Sequence, residues 1–252
     1  MRAALFAAVF LVLAVAAGAA RAGAEPVCAG DISHAATRES VEYDSGGRTV
    51  RGLIYRPLNP NGAGVVLLHG ARGLAADAPT FDPHAIQLAS RGYNVLVPNY
   101  YDAQPGQERR TGRDMRLWRR AAADGARFLA GQPGAQPGRV ALWGYSLGGF
   151  LAGEAAMESD AVVAAVSLAG GTDAGEPGRE RKAIPLLLMH ARRDPVISPV
   201  SSRVWGEGLT RRGATVEVRE LDWEGHGFDR PGWCAIFDAT RAFLDRVLAA
   251  RD

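Results

Sequence analysis

Val65-Val66-Leu67-Leu68 is an apolar run without a polar break, and further short, mostly apolar stretches at 93–97, 140–143, 162–168 and 184–189 follow along the chain. A strand with one wet face alternates apolar and polar residues. Continuous short runs suit strands buried on both faces, as in a parallel sheet. Between the runs the spacing predicts helices at about 83–90, 114–130, 147–157 and 200–212, with a further strand at 215–221. The chain ends in an amphipathic helix that carries Ile236, Phe243 and Val247 on one face. Strands alternating with helices predict an α/β fold, a mostly parallel sheet flanked by helices on both faces. Upstream, 39–43 and 49–55 alternate around Asp44-Ser45-Gly46-Gly47, which predicts an antiparallel hairpin at one sheet edge. A length of 252 residues with 47% hydrophobic content suits one large domain with a sizeable core and excludes a disordered chain.

Gly144-Tyr145-Ser146-Leu147-Gly148 is a G-x-S-x-G motif between a predicted strand and a predicted helix. That context turns a common pentapeptide into a nucleophile signature. The turn has no room for side chains beside the serine, and it exposes the hydroxyl at the carboxyl end of the sheet. The helix that starts there aims N–H groups at the same place. A serine needs a base and a group to orient the base, expected later in the chain with the acid first. Of the five histidines only His190 and His226 follow Ser146. His226 sits in the loop Gly225-His226-Gly227-Phe228 between the last strand and the last helix, whereas His190 closes a strand and reads as structural. Asp194, in the loop after the preceding strand, is the expected acid, with Asp173 as the fallback. The oxyanion donors expected are the backbone N–H groups of Leu147 and of Ala71, the latter in the loop His69-Gly70-Ala71-Arg72-Gly73. His69 is expected to brace that loop. Asp77, Asp82 and His84 match no metal motif, and neither a metal nor a cofactor is expected.

The N-terminus reads as an export signal. Arg2 precedes an apolar stretch over 3–17, and Ala22-Gly23-Ala24 offers a cleavage site before Glu25. The expected organisation is thus a signal peptide over 1–24 and a single domain over 25–252, exported to the periplasm or secreted. The apolar stretch is short for a membrane span, which needs about 20 residues, so no stable membrane insertion is expected after cleavage. Removing Arg2 and Arg21 from 29 basic residues leaves 27 against 27 acidic ones, a balance that argues against a nucleic-acid partner. Cys28 and Cys234 are the only cysteines, and an oxidising destination predicts a disulfide between them.

The stretch Gly92-Tyr93-Asn94-Val95-Leu96-Val97-Pro98-Asn99-Tyr100-Tyr101, the serine motif with Gly149, the Asp194 loop and Gly225-His226-Gly227-Phe228 together resemble the dienelactone hydrolase family of α/β-hydrolases. The resemblance runs from about Gly64 to the final helix. It implies an eight-stranded sheet, no large cap, and an acyl hydrolase acting on a small-molecule ester. It also implies a substrate-carboxylate role for Arg230, four residues after His226. Two positions depart from the family: cysteine is usual where Ser146 stands, and glutamate where Gly70 stands, so the expected chemistry is that of a serine esterase rather than of dienelactone turnover. The alternatives are a peptidase of the prolyl oligopeptidase type, which usually adds a propeller or large cap, and a non-catalytic binding protein. Retention of Ser146, Asp194 and His226 in chain order favours an enzyme.

Overall fold

A computed structural model of the chain describes residues 20–21, 28–105 and 110–249. The expected signal peptide and its cleavage site lie outside these residues, apart from a two-residue strand β1 (Ala20–Arg21). The other strands are β2 (Ala36–Asp44), β3 (Thr49–Pro57), β4 (Gly62–Leu68), β5 (Asn94–Pro98), β6 (Ala135–Tyr145), β7 (Ala164–Leu168), β8 (Pro185–Arg193) and β9 (Thr215–Glu224). The helices are α1 (Leu74–Ser90), α2 (Gly112–Ala130), α3 (Leu147–Glu158), α4 (Pro199–Arg211) and α5 (Arg230–Val247).

All strands form one sheet in the order β1-β2-β3-β5-β4-β6-β7-β8-β9. The eight expected strands are β2 to β9, and β1 adds a short pairing to the β2 edge. β2 pairs antiparallel with β3, and β3 with β5, as the hairpin reading required. From β5 to β9 every pairing is parallel. The apolar runs divide by parity, as the pleat dictates. Val66, Leu68, Val140 and Leu142 pack on one face with α2, α3 and α4. Val65, Leu67, Ala141 and Trp143 pack on the other with α1 and α5. With both faces covered, no polar residue interrupts β4 from Gly62 to Leu68, and all seven residues are buried.

Two of the departures from the pattern reading have a visible cause. α1 begins at Leu74, nine residues ahead of the expected start, and runs through Pro79 and Pro83. Each proline removes a helical N–H, a cost that local propensity counts heavily. Burial of Phe81, Ala85, Ile86, Leu88 and Ala89 against the sheet outweighs it. β6 begins at Ala135 rather than near Val140, because Gly62 at the start of β4 pairs with Ala135 across a register shift.

Cys28 and Cys234 are disulfide-bonded across 206 residues of sequence. The segment after Cys28 lies along α1, where Ile32 N–H donates to Gln87 Oε1 and Gln87 Nε2 donates back to Ile32 O.

Candidate active site

Ser146 stands between β6 and α3 with φ 55° and ψ −119°, in the positive-φ region that a non-glycine residue enters at a cost. The glycines around it show why the turn tolerates nothing larger. A Cβ on Gly144 would lie 1.9 Å from Gly148 O, and one on Gly148 would lie 2.3 Å from Leu68 O. Both obstacles are backbone, so neither can move aside.

The loops after β6, β8 and β9 meet at the carboxyl edge of the sheet. Ser146 Oγ lies 2.7 Å from His226 Nε2. His226 Nδ1 lies 2.7 Å from Asp194 Oδ2. A carboxylate only accepts, so Nδ1 carries the proton and Nε2 is free to accept from the serine hydroxyl. Asp194 Oδ1 accepts the N–H groups of Val196 and Ile197. Burial alone would raise the Asp194 carboxyl; hydrogen bonds from His190, His226 and those two amides hold it well below the usual carboxylate range. It therefore stays charged beside the imidazole. Asp173, the fallback acid, instead accepts the N–H of Ser198 through Oδ2.

His190 does not close its strand as expected: β8 runs on to Arg193, so the imidazole sits within the strand and touches the acid. Its Nε2 donates to Ile197 O at 2.9 Å and stands 3.3 Å from Asp194 Oδ2. Tyr145 and Trp223 brace the His226 loop from two sides: the Tyr145 hydroxyl donates to His226 O, and the Trp223 indole donates to Gly227 O. Burial, then the charge of Asp77, push the Tyr145 hydroxyl up to about 12, so it remains a donor.

A cavity of about 270 Å³ opens over the serine, lined by Gly70, Ala71, Arg72, Asp77, Tyr145, Ser146, Val196 and His226. Of the expected oxyanion donors, Ala71 lines it from the loop after β4, and Leu147 is the first residue of α3, next after the nucleophile. Their N–H groups have no hydrogen-bond acceptor among the described residues. His69 stacks on Tyr100 with ring centroids 3.9 Å apart, and burial pushes its imidazole down to about 4, so it stays neutral. Arg230 is exposed at the first residue of α5 and is not part of the lining.

Asp77 in this lining has no signature in the sequence, because it reaches the site from α1, seven residues beyond Gly70. The candidate metal trio is dispersed: Asp82 accepts from the Tyr55 hydroxyl, and His84 stacks on Phe237. No cluster of three metal-ligating side chains occurs among the described residues, nor does any of their helices have the length and apolarity to cross a membrane.

The family model described as the dienelactone hydrolase family matches residues 50–242. No curated protein matches the sequence. Among solved structures, the chain is similar to a dienelactone hydrolase-like promiscuous phosphotriesterase from metagenomic libraries, at 20% identity and TM-score 0.69, covering 84% of this chain and 99% of that one. It is similar to an esterase of Pyrobaculum calidifontis at 17% identity and TM-score 0.68, covering 84% and 86%. It is also similar to the acylaminoacyl peptidase of Pyrococcus horikoshii at 18% identity and TM-score 0.67, covering 86% of this chain and 43% of that longer one. At these identities the structures speak for the fold alone.

Proposed function

The chain belongs to the dienelactone hydrolase family, and from that premise we propose that it hydrolyses small carboxylic esters through an acyl-enzyme on Ser146. The observation that carries this reading is the unbroken hydrogen-bond chain from Ser146 Oγ through His226 to Asp194, 2.7 Å at each step.

In the proposed reaction His226 Nε2 takes the serine proton as Ser146 Oγ attacks the ester carbonyl carbon. Asp194 supports the imidazolium that results. The carbonyl oxygen becomes an oxyanion between the N–H groups of Ala71 and Leu147. Collapse of the tetrahedral intermediate breaks the C–O bond, and His226 delivers its proton to the departing alcohol. Water then attacks the acyl-enzyme by the same route and frees Ser146. The site is a small, open cleft of about 270 Å³ without a large cap over it among the described residues, and short acyl groups are expected to be preferred. The Cys28–Cys234 disulfide supports an exported location, periplasmic or secreted.

The test is p-nitrophenyl ester hydrolysis by the mature chain. Ser146→Ala and His226→Ala are each expected to lower kcat by roughly 10⁴–10⁶, with the double variant little worse, because the groups act as a unit. Wild-type rates in Ser146→Ala would overturn the reading. A parallel panel of esters, lactones, thioesters, anilides and phosphotriesters ranks the acyl classes, and a preference for anilides would move the assignment to a peptidase.

A further inference from the structure

The mechanism above leaves one buried carboxylate of the cavity unused. Asp77, 4% exposed, turns away from solvent in the first turn of α1 and presents Oδ2 to the Gly70 N–H at 2.6 Å. The same oxygen reaches the space beside the nucleophile. A Cβ placed on Gly70 would lie 3.1 Å from Asp77 Oδ2 and 3.5 Å from Ser146 Cβ. A side chain at position 70 would therefore crowd the carboxylate and push it by a few tenths of an ångström.

Three consecutive peptide groups of this loop are each held by a side chain from elsewhere or from the residue next door. Asp77 holds the Gly70 N–H. His69 Nδ1, at 2.8 Å, and the Gly73 N–H, at 3.1 Å, both donate to Gly70 O. The Tyr101 hydroxyl donates to Ala71 O at 2.9 Å. A planar trans peptide points its N–H opposite to its C=O. With Gly70 O anchored on one side, the Ala71 N–H of the same peptide is aimed the other way, and it has no acceptor of its own among the described residues. The bond to Asp77 also occupies the Gly70 N–H, which removes it as a competing oxyanion donor. Burial raises the Asp77 carboxyl, opposed by the Gly70 N–H, Arg72 and His226.

We propose that Asp77 is a positioning residue for the oxyanion donor: its bond to the Gly70 N–H fixes the loop so that the Ala71 N–H is already aimed before substrate arrives. The inference rests on the reading of Ser146 as nucleophile. Preorganised donors work because no reorientation is needed when the oxyanion forms, and outright loss of one costs about 10²–10³ in kcat. Asp77 acts through the loop, with His69 and Tyr101 still attached, so a smaller effect follows. An acid in the first turn of a helix can also serve helix stability alone. That role would move the melting temperature and leave kcat in place.

The experiment measures kcat, KM and melting temperature for the mature protein on a p-nitrophenyl ester, together with the inhibition constant of phenylboronic acid, which forms a tetrahedral adduct on an active serine. Asp77→Ala is expected to lower kcat by roughly 10- to 100-fold, to shift KM by less than about threefold, and to weaken the boronic acid in step with kcat. Asp77→Asn keeps an acceptor for the Gly70 N–H and is expected to restore kcat to within about fivefold of wild type. Wild-type kcat in Asp77→Ala, or an Asp77→Asn as slow as Asp77→Ala, overturns the proposal. Should Asp77→Ala fail to fold, Asp77→Ser, too short to reach Gly70, carries the same expectation; failure of both to fold would make Asp77 a residue of stability and end the proposal. Ser146→Ala in the same assay separates the two readings. Activity that survives it removes the esterase reading, whereas Ser146-dependent activity indifferent to Asp77 removes only the positioning role.

Discussion

Ser146 bears a backbone conformation that few residues with a Cβ accept. The conformation persists because the surrounding turn is over-determined: Ser146 N–H donates to Leu168 O, and Phe150 N–H donates back to Ser146 O. Those contacts offset a strain on the order of 1–3 kcal/mol, and the conformation they hold presents the hydroxyl to His226. Arg230 presents the opposite case of a residue on the surface, away from the lining of the cavity. It is exposed at the head of α5, after the cap made by Asp229. An exposed ion pair contributes about 0–1 kcal/mol. We therefore expect Arg230→Ala to slow turnover of carboxylate-bearing esters by at most roughly fivefold relative to matched neutral esters. Steady-state kinetics on such a matched pair measures the ratio, and an unchanged ratio leaves Arg230 without a role in substrate recognition.

At the scale of elements, the site depends on how closely α3 approaches the end of β4. Gly148 makes that approach possible, since a Cβ there would meet Leu68 O at 2.3 Å and His69 O at 2.5 Å. Gly148→Ala is expected to destabilise the fold by about 3 kcal/mol, the upper end of overpacking costs. In a chain of this size that is a fall of roughly 6–12 °C in melting temperature. Gly227→Ala supplies the control, because a Cβ there meets nothing within 4 Å. A shift below about 2 °C is expected for it. Equal shifts in the two variants, read by calorimetry, would refute the argument from close approach. α1 illustrates the same dependence in another form: its apolar face against the sheet, rather than its helix propensity, carries the helix through Pro79 and Pro83.

Across the whole molecule, the sheet orders its strands so that the loops after β4, β6, β8 and β9 share one edge, and the disulfide fastens the first described residues of the main body to the last helix. The Cys28–Cys234 bond closes a span of 206 residues. Loop entropy sets a ceiling on the order of 5 kcal/mol for so long a span, and observed values centre on about 2–4 kcal/mol. Reduction is thus expected to lower the melting temperature by roughly 4–16 °C. Thiol titration of the denatured, unreduced protein should find no free thiol. Two free thiols would contradict the link and weaken the case for export with it.

The fold class was written in the sequence because its signal is local. A parallel strand buried on both faces is apolar at nearly every position, as at Val65–Leu68, and a strand-to-helix turn with no room for side chains has to be glycine at Gly144 and Gly148. Ser146, Asp194 and His226 were legible for a related reason: chain order and loop position suffice to name them, and in the structure they are hydrogen-bonded to one another. Tertiary structure alone decided the start of α1, the exposure of Arg230 and the arrival of Asp77 beside Gly70. Each of these depends on which surfaces meet after the chain folds. Asp77 lies only seven residues from Gly70, yet nothing in the intervening residues announces a hydrogen bond between them. That bond forms because α1, held to the sheet by Phe81, Ile86 and Leu88, brings its first turn back over the loop that ends β4.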